Sequence, residues 1–409
     1  MVSQPLLSFE DARAIVLDNV DVLPGQPVPL CECLGLVLAA DVVSQDNIPY
    51  CTNSAMDGFA VVAEDLVGAS SERPVILQVV ETIEAGQIPA RRVERGTCAR
   101  IMTGAIMPEG ADAVVRVEDT EPSNGSVSIR TSVQAGSDVR AAGEDIAAGE
   151  TALTAGTELR PYEIGLLAAV GVGEPLVIPR PRVALIATGS ELLPLSHPLS
   201  PGKVRNSNGP ALYAQCIAVG ASPVDFGIVE DADDATRRAL EKAAATCDVV
   251  VTAGAVSMGE RDRIRPTMER LGEVLFWRVA MRPGSPLLFG RLGGKPCFCL
   301  PGNPASAMLT FELFARPALR KMMGHKALFR PVCQGRAAEA MTPRQGFTMF
   351  LRARVERRNG EAWVRRAGPQ GSGMHKPFAR ADCLAVLEGE SPLRPGDPVP
   401  FIPLDAPER

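Results

Sequence analysis

Residues 182–192 read RVALIATGSEL, residues 247–262 read CDVVVTAGAVSMGERD, and residues 297–306 read CFCLPGNPAS. Each is a short apolar run that stops at a polar turn containing glycine. Runs of this length without strict alternation fit strands buried on both faces of a sheet. Helical patterns lie between them. NSNGPALYAQCIAVG (206–220) ends at Gly220, DDATRRALEKAAATC (233–247) is amphipathic, and DRIRPTMERLG (262–272) carries Pro266, which should interrupt it. ASPVDFGIVED (221–231), VLFWRVAMRPG (274–284) and PLLFGRL (286–292) read as further strands, and a helix follows LPGNP up to Gly324. This alternation predicts a three-layer α/β domain over residues 179–328.

The flanks differ in character. Residues 8–20 predict a helix capped by Ser8, with acidic residues in its first turn. Residues 59–140 hold short strand-like runs (FAVV, VILQVVETI, CARIMTG, AVVRVEDT, VSIR) separated by turns, which predicts a small β domain inserted over 46–140. Residues 1–45 and 141–178 are expected to form one discontinuous N-terminal region, with a short helix at PYEIGLLAAVG (161–171). Residues 329–409 return to strands such as GFTMFLRARVE and PVPFIP and predict a C-terminal β-barrel. The expected fold class is thus α/β multi-domain.

Composition excludes several functions. The 409 residues carry 42 Lys+Arg against 48 Asp+Glu, and aromatics are 4%, so a basic, base-stacking nucleic-acid surface is not expected. Three histidines argue against a His-based triad or a His-rich metal centre. There is no run of eighteen apolar residues and no basic n-region leading into an apolar core, which predicts a cytoplasmic protein without a membrane span. Ten cysteines occur without a C-x-x-C and read as small buried thiols.

In open α/β sheets, ligands bind beyond the carboxyl ends of the strands. Three loops occupy that edge: Thr188–Glu191, Ala253–Asp262 and Leu300–Ser306. In the third, Asn303 suits an N-cap and Pro304 a first helical position, so free N–H groups are expected to face an anion. Together the loops point to a phosphate or oxyanion site. G-x-G-x-x-G and G-x-x-x-x-G-K-[ST] are both absent, which disfavours a dehydrogenase or a P-loop ATPase. Mg²⁺ takes one or two carboxylates plus substrate oxygens, and Asp57, Glu191 and Asp262 are the candidates.

The strings NSAMDGFAV (53–61), RIMTGAIMPEGADAVV (100–115), GEDI (143–146), ATGSEL, AGAVSMGERD, MRPGSP (281–286) and LPGNPAS occur in one order along the chain. In combination they resemble the molybdopterin molybdenumtransferases of the MoeA type, a family also represented in the enzymatic domain of gephyrin. The resemblance spans essentially the whole chain. It implies a four-domain subunit in a homodimer, with the active site shared between subunits. It also implies insertion of molybdate into adenylylated molybdopterin with Mg²⁺, releasing AMP and molybdenum cofactor. By motif position, Asp57, Glu191 and Asp262 would be the catalytic and metal-binding acids. Thr103 and Ser257 would lie along the pterin nucleotide, Asn303 would cap the phosphate-facing helix, and Ser306, Arg352 and Ser372 would border the oxyanion pocket. The molybdopterin adenylyltransferase and recipient molybdoenzymes are the implied protein partners.

Some positions depart from the pattern. The family's K-P-G-K-P is Arg282-Pro283-Gly284-Ser285-Pro286 here, its G-G-V-S is Gly254-Ala255-Val256-Ser257, and its G-D-E is Gly189-Ser190-Glu191. Arg282 keeps a charge at the oxyanion pocket, whereas Ser285 keeps only a hydrogen bond. These departures motivate an alternative, a non-catalytic paralogue that binds pterin cofactor and delivers it to a partner enzyme. A purely structural scaffold ranks last.

Overall fold

A computed structural model describes residues 6–230, 232–254 and 264–404. The chain divides into two compact units, one formed by Met1–Gln26, Gly35–Ala39 and Val177–Arg409, the other by Pro27–Leu34 and Ala40–Leu176.

The first unit contains the α/β layer. Its six-stranded sheet has the order Ser222–Val229, Arg182–Thr188, Val249–Ala253, Lys295–Leu300, Leu288–Leu292 and Gly272–Trp277. The first four strands are parallel, and Leu288–Leu292 runs antiparallel to both its neighbours, Lys295–Leu300 and Gly272–Trp277. Successive strand residues face opposite sides, and the burial follows this rule. Val183, Leu185, Val249, Val251, Phe298 and Leu300 pack on one side with helices Phe9–Asp18 and Asn208–Val219. Ala184, Ile186, Val250, Cys297 and Cys299 pack on the other with Asp233–Thr246 and Ile264–Leu271. The expected three layers are present.

Local signals hold at several ends. Ser8 Oγ accepts the Asp11 N–H at 3.0 Å, capping the first helix. Gly220 ends Asn208–Val219 at φ 94°, a conformation that costs a residue with a Cβ. Two expectations change. Pro266 lies inside Ile264–Leu271, and the described helix runs through it to Leu271. Residues 274–284 do not form one strand. The backbone turns at Arg278 (φ 75°), and Met281–Arg282 leaves the α/β sheet to pair in parallel with Thr348–Arg358.

The latter strand belongs to the C-terminal barrel. Thr348–Arg358, Glu361–Arg366, Cys333–Ala337, Pro398–Pro403 and Cys383–Leu387 pair in that order, and the last closes onto the first. The ring is filled by Ala337, Leu351, Val364, Ala385, Val399 and neighbours.

The second unit is dominated by a six-stranded sheet in the order Ala113–Arg116, Gly58–Val61, Thr97–Ile101, Val75–Ile83, Ser126–Ile129 and Thr120–Ser123. It includes the strands expected from residues 59–140. All ten cysteines are free thiols. Seven are buried, whereas Cys51 and Cys333 are half-buried and Cys31 is exposed, contrary to the uniform burial expected. No helix among the described residues is long and apolar enough to cross a membrane.

Candidate functional site

In the second unit the NSAMDG and IMTGA motifs clasp each other. Gly104 N–H donates to the Ser54 carbonyl at 2.8 Å, and Ser54 N–H donates to the Ala105 carbonyl at 3.0 Å. Asp57 lies at the turn into Gly58–Val61. Its Oδ1 accepts the Thr103 N–H at 2.7 Å and the Thr103 hydroxyl at 2.8 Å. These bonds hold the Asp57 carboxyl below its ordinary value, the backbone N–H contributing most and the Arg100 charge adding to it. Gly58 is obligatory beside it, since a Cβ there would be driven into the Val115 carbonyl oxygen of the paired strand. The structure thus brings Asp57 and Thr103 together.

In the first unit the three strand ends converge as expected. A Cβ on Gly254 would collide with the Thr188 carbonyl oxygen, and one on Gly302 would lie 3.5 Å from the Gly254 Cα. Gly254 also takes φ 117°. A cavity of about 980 Å³ opens at this edge, lined among others by Glu191, Lys203, Arg205, Gly254, Asn303 and His375. Lys203 Nζ donates to the Ser190 carbonyl at 2.6 Å. The Ser207 hydroxyl lies 3.3 Å from His375 Nε2. Lys203 and Arg205 thus line the same cavity as Glu191, and the two cations suit an anionic ligand. Ser257 and Asp262 lie outside the described residues.

Asn303 behaves differently from its N-cap expectation. It occupies the cap position of Pro304–Thr310 with extended backbone, but its side chain caps nothing. Asn303 Nδ2 donates instead to Ser372 Oγ at 3.1 Å, while the Ala305 N–H donates to the Ser372 carbonyl at 3.0 Å. The Ser306 N–H goes to the Asn303 carbonyl, also at 3.0 Å. Pro304 has no N–H, so the first turn is already satisfied by protein and does not offer the free donors expected. A tertiary partner, the 371–373 turn, has displaced the local cap.

That turn also connects Arg352 to the site. Arg352 is fully buried in the barrel wall, and its Nη2 donates to the Gly371 carbonyl at 3.0 Å. Its Nε and Nη1 have no hydrogen-bond partner among the described residues. Burial pushes its pKa down from the ordinary arginine value. A buried cation with idle donors is costly unless an anion satisfies it. Asn303, Ala305 and Arg352 thus all bond the turn that carries Ser372.

Arg282 and Ser285 follow from the strand that leaves the sheet. The Arg282 guanidinium stands 5.0 Å from the Phe347 ring centre. Ser285 donates its hydroxyl to the Val279 carbonyl at 2.8 Å, and Val279 N–H returns a bond to the Ser285 carbonyl at 2.9 Å. The Ser285 proton is therefore committed to closing its own loop.

Sequence reasoning missed the wall formed by residues 203–208. Asn206 Oδ1 accepts the Gly209 N–H at 3.0 Å, and Asn208 Nδ2 donates to the Gly302 carbonyl at 2.8 Å. The signal is the polar run VRNSN (204–208), of which the helical pattern from 206 accounts for only the last three residues. Among the described residues no group of three or more His, Cys, Asp or Glu is placed to hold a metal. Glu191 is an exposed carboxylate at the cavity, a donor set that fits Mg²⁺ shared with substrate oxygens.

Three family descriptions match the chain: "MoeA N-terminal region (domain I and II)" over residues 7–171, "Probable molybdopterin binding domain" over 184–321, and "MoeA C-terminal region (domain IV)" over 334–404. Molybdopterin molybdenumtransferase 2 of Mycobacterium tuberculosis is 39% identical over 359 residues, covering 86% of this chain and 89% of the relative. Molybdopterin molybdenumtransferase of Staphylococcus aureus is 35% identical over 386 residues, covering 94% and 92%. The crystal structure of a molybdopterin biosynthesis MoeA protein from Pyrococcus horikoshii superposes with a TM-score of 0.84 at 31% identity, covering 97% of this chain and 99% of that one. The non-catalytic alternative is not favoured by these likenesses. The family matches, the relatives and the shared fold agree: the chain belongs to the molybdopterin molybdenumtransferase (MoeA) family, enzymes of molybdenum cofactor biosynthesis.

Proposed function

We propose that the chain inserts molybdate into adenylylated molybdopterin, releasing AMP and molybdenum cofactor, with Mg²⁺ as the resident cation. The observation that carries this reading is Arg352, a buried guanidinium with two idle donors that bonds the turn carrying Ser372, to which Asn303 also bonds. A tetrahedral oxyanion seated there would satisfy them, and Arg282 would add charge. The cavity walls would hold the nucleotide. Lys203 and Arg205 offer cations to its phosphates, and the glycine strand ends allow close backbone approach.

Glu191, with Asp57 and Asp262, would hold Mg²⁺ on the substrate phosphates. When bound, the cation supplies neutralisation of the phosphoanhydride charge. Asp57, kept ionised by Thr103, is suited to that task at neutral pH. Ser257 would contact the pterin nucleotide. Ser285 contributes by holding the loop that carries Arg282.

The four-domain division, a homodimer with a shared active site, and a cytoplasmic location belong to this same proposal, as do the molybdopterin adenylyltransferase and recipient molybdoenzymes as partners. The test is direct. Purified chain given adenylylated molybdopterin, Mg²⁺ and molybdate is expected to release AMP in a molybdate-dependent manner. No AMP at saturating substrates would defeat the proposal.

A further inference from the structure

A second, smaller cavity shares His375 with the one described above. Its apolar lining is Ala367, Pro369, Met374 and Pro377. The barrel fixes these walls. The Ala367 N–H donates to the Arg352 carbonyl at 2.9 Å, and Gln370 Nε2 donates to the Arg352 and Gly368 carbonyls at 3.0 and 2.8 Å. Gly368 takes φ 142°, a conformation that favours glycine, and a Cβ on it would lie 3.5 Å from Pro377 Cγ. In the short helix Lys376–Arg380 the Phe378 and Ala379 N–H groups both donate to the His375 carbonyl, at 3.0 and 3.1 Å. Little ordering is left for an occupant to impose.

Lys376 and Arg380 also line this cavity. They stand one helical turn apart, so they share a face, and both are exposed. Among the described residues neither meets a carboxylate in an ion pair. Asp382, the nearest acid along the chain, accepts the Val355 N–H at 2.8 Å. The whole chain carries a net charge of −6, so two cations beside an apolar hollow reverse the prevailing sign locally.

At about 250 Å³ the cavity falls below the roughly 300–1,000 Å³ usual for small-molecule sites. It suits one large apolar side chain used as an anchor. Met374, exposed and unbranched, can adjust to the shape of that anchor. We propose that this pocket docks an acidic segment of a partner protein, with one large apolar side chain in the cavity and flanking carboxylates on Lys376 and Arg380. His375 belongs to both cavities, so a partner seated here is placed beside the larger one. The docking does not depend on the molybdate-insertion reading.

The test is selection of a phage-displayed random peptide library on the immobilised full chain. The enriched peptide is then titrated by fluorescence anisotropy against wild type, Lys376→Glu, Arg380→Glu and Arg238→Glu. Arg238 is exposed on helix Asp233–Thr246 and matches the change in net charge. Enriched peptides are expected to combine acidic residues with one Leu, Phe or Trp. Changing that apolar residue to Ala, or either lining cation to Glu, should weaken binding at least about tenfold, and Arg238→Glu should leave it unchanged. Melting temperatures and AMP release should match wild type in all three variants. No acidic consensus, or equal affinities for Arg380→Glu and Arg238→Glu, would overturn the docking site. So would an RNA oligonucleotide or anionic vesicles bound through Arg380 when no peptide is selected. Loss of AMP release in Arg380→Glu at an unchanged melting temperature would assign Arg380 to the substrate site and overturn it too. Wild type that binds the peptide through Arg380 but releases no AMP would defeat the transferase proposal and leave the docking site standing.

Discussion

Thr103 gives both its backbone N–H and its hydroxyl to a single carboxylate oxygen of Asp57, at 2.7 and 2.8 Å. Both bonds favour the ionised carboxyl, so its pKa is depressed. A depressed carboxylate stabilises the fold above its unfolded-state pKa, and that contribution is lost as pH falls through the lower folded value. Thr103→Val removes the hydroxyl bond and keeps the N–H. Asp57 should then titrate higher than in wild type, yet still below an ordinary aspartate. The melting-temperature gap between the two proteins should be constant near neutral pH and shrink below the ordinary aspartate range. Carboxyl NMR titration and melts against pH check both. An Asp57 titration unmoved by Thr103→Val would contradict the stated cause.

Asp57→Asn changes charge at nearly constant shape. AMP release should fall at least about hundredfold, as expected when an essential cation ligand or electrostatic contact is removed, while the circular dichroism spectrum stays native. Wild-type turnover in this variant would reduce Asp57 to a turn residue.

Arg352 separates stability from activity. Replacing a buried, poorly satisfied cation with an apolar side chain of similar length is often neutral or stabilising. Arg352→Met also frees the Gly371 carbonyl, which costs about 1–3 kcal/mol. The two effects oppose, so the melting temperature should move by only a few degrees, while molybdate-dependent AMP release is lost. A large destabilisation with activity retained in the folded fraction would show Arg352 to be a packing residue.

Much of this arrangement was legible locally. The apolar runs ending at Thr188, Ala253 and Leu300 located the ligand edge of the sheet, and Ser8 and Gly220 marked helix ends by their own chemistry. What escaped depended on distant chain. Met281–Arg282 looks like the end of a strand in the α/β sheet, and only its pairing with Thr348–Met349 carries Arg282 to Phe347 and Arg344. Asn303 has the composition of a cap, but Ser372, far along the sequence, takes its amide and satisfies the Ala305 N–H. Local preference states what a residue can do, and tertiary partners then select among the options.

The thiols give a check on packing. Burial pushes the Cys98 and Cys216 pKa values up to about 12, whereas Cys31 is exposed. Thiolate is the reactive form. At pH 8 the native chain should react rapidly at Cys31, slowly at the half-buried Cys51 and Cys333, and at all ten cysteines only in denaturant. Peptide mapping after alkylation reads this directly, and prompt labelling of Cys98 or Cys216 would contradict the β-sheet cores described.

The central claim is that phosphoanhydride cleavage by this chain is coupled to capture of a metal oxyanion. Its most direct measurement is the ratio of AMP released to molybdenum incorporated into the pterin product, read by chromatography and elemental mass spectrometry on the same reaction. The account predicts one molybdenum per AMP, with both lost together when molybdate is withheld. AMP released at full rate without molybdenum in the product would contradict it.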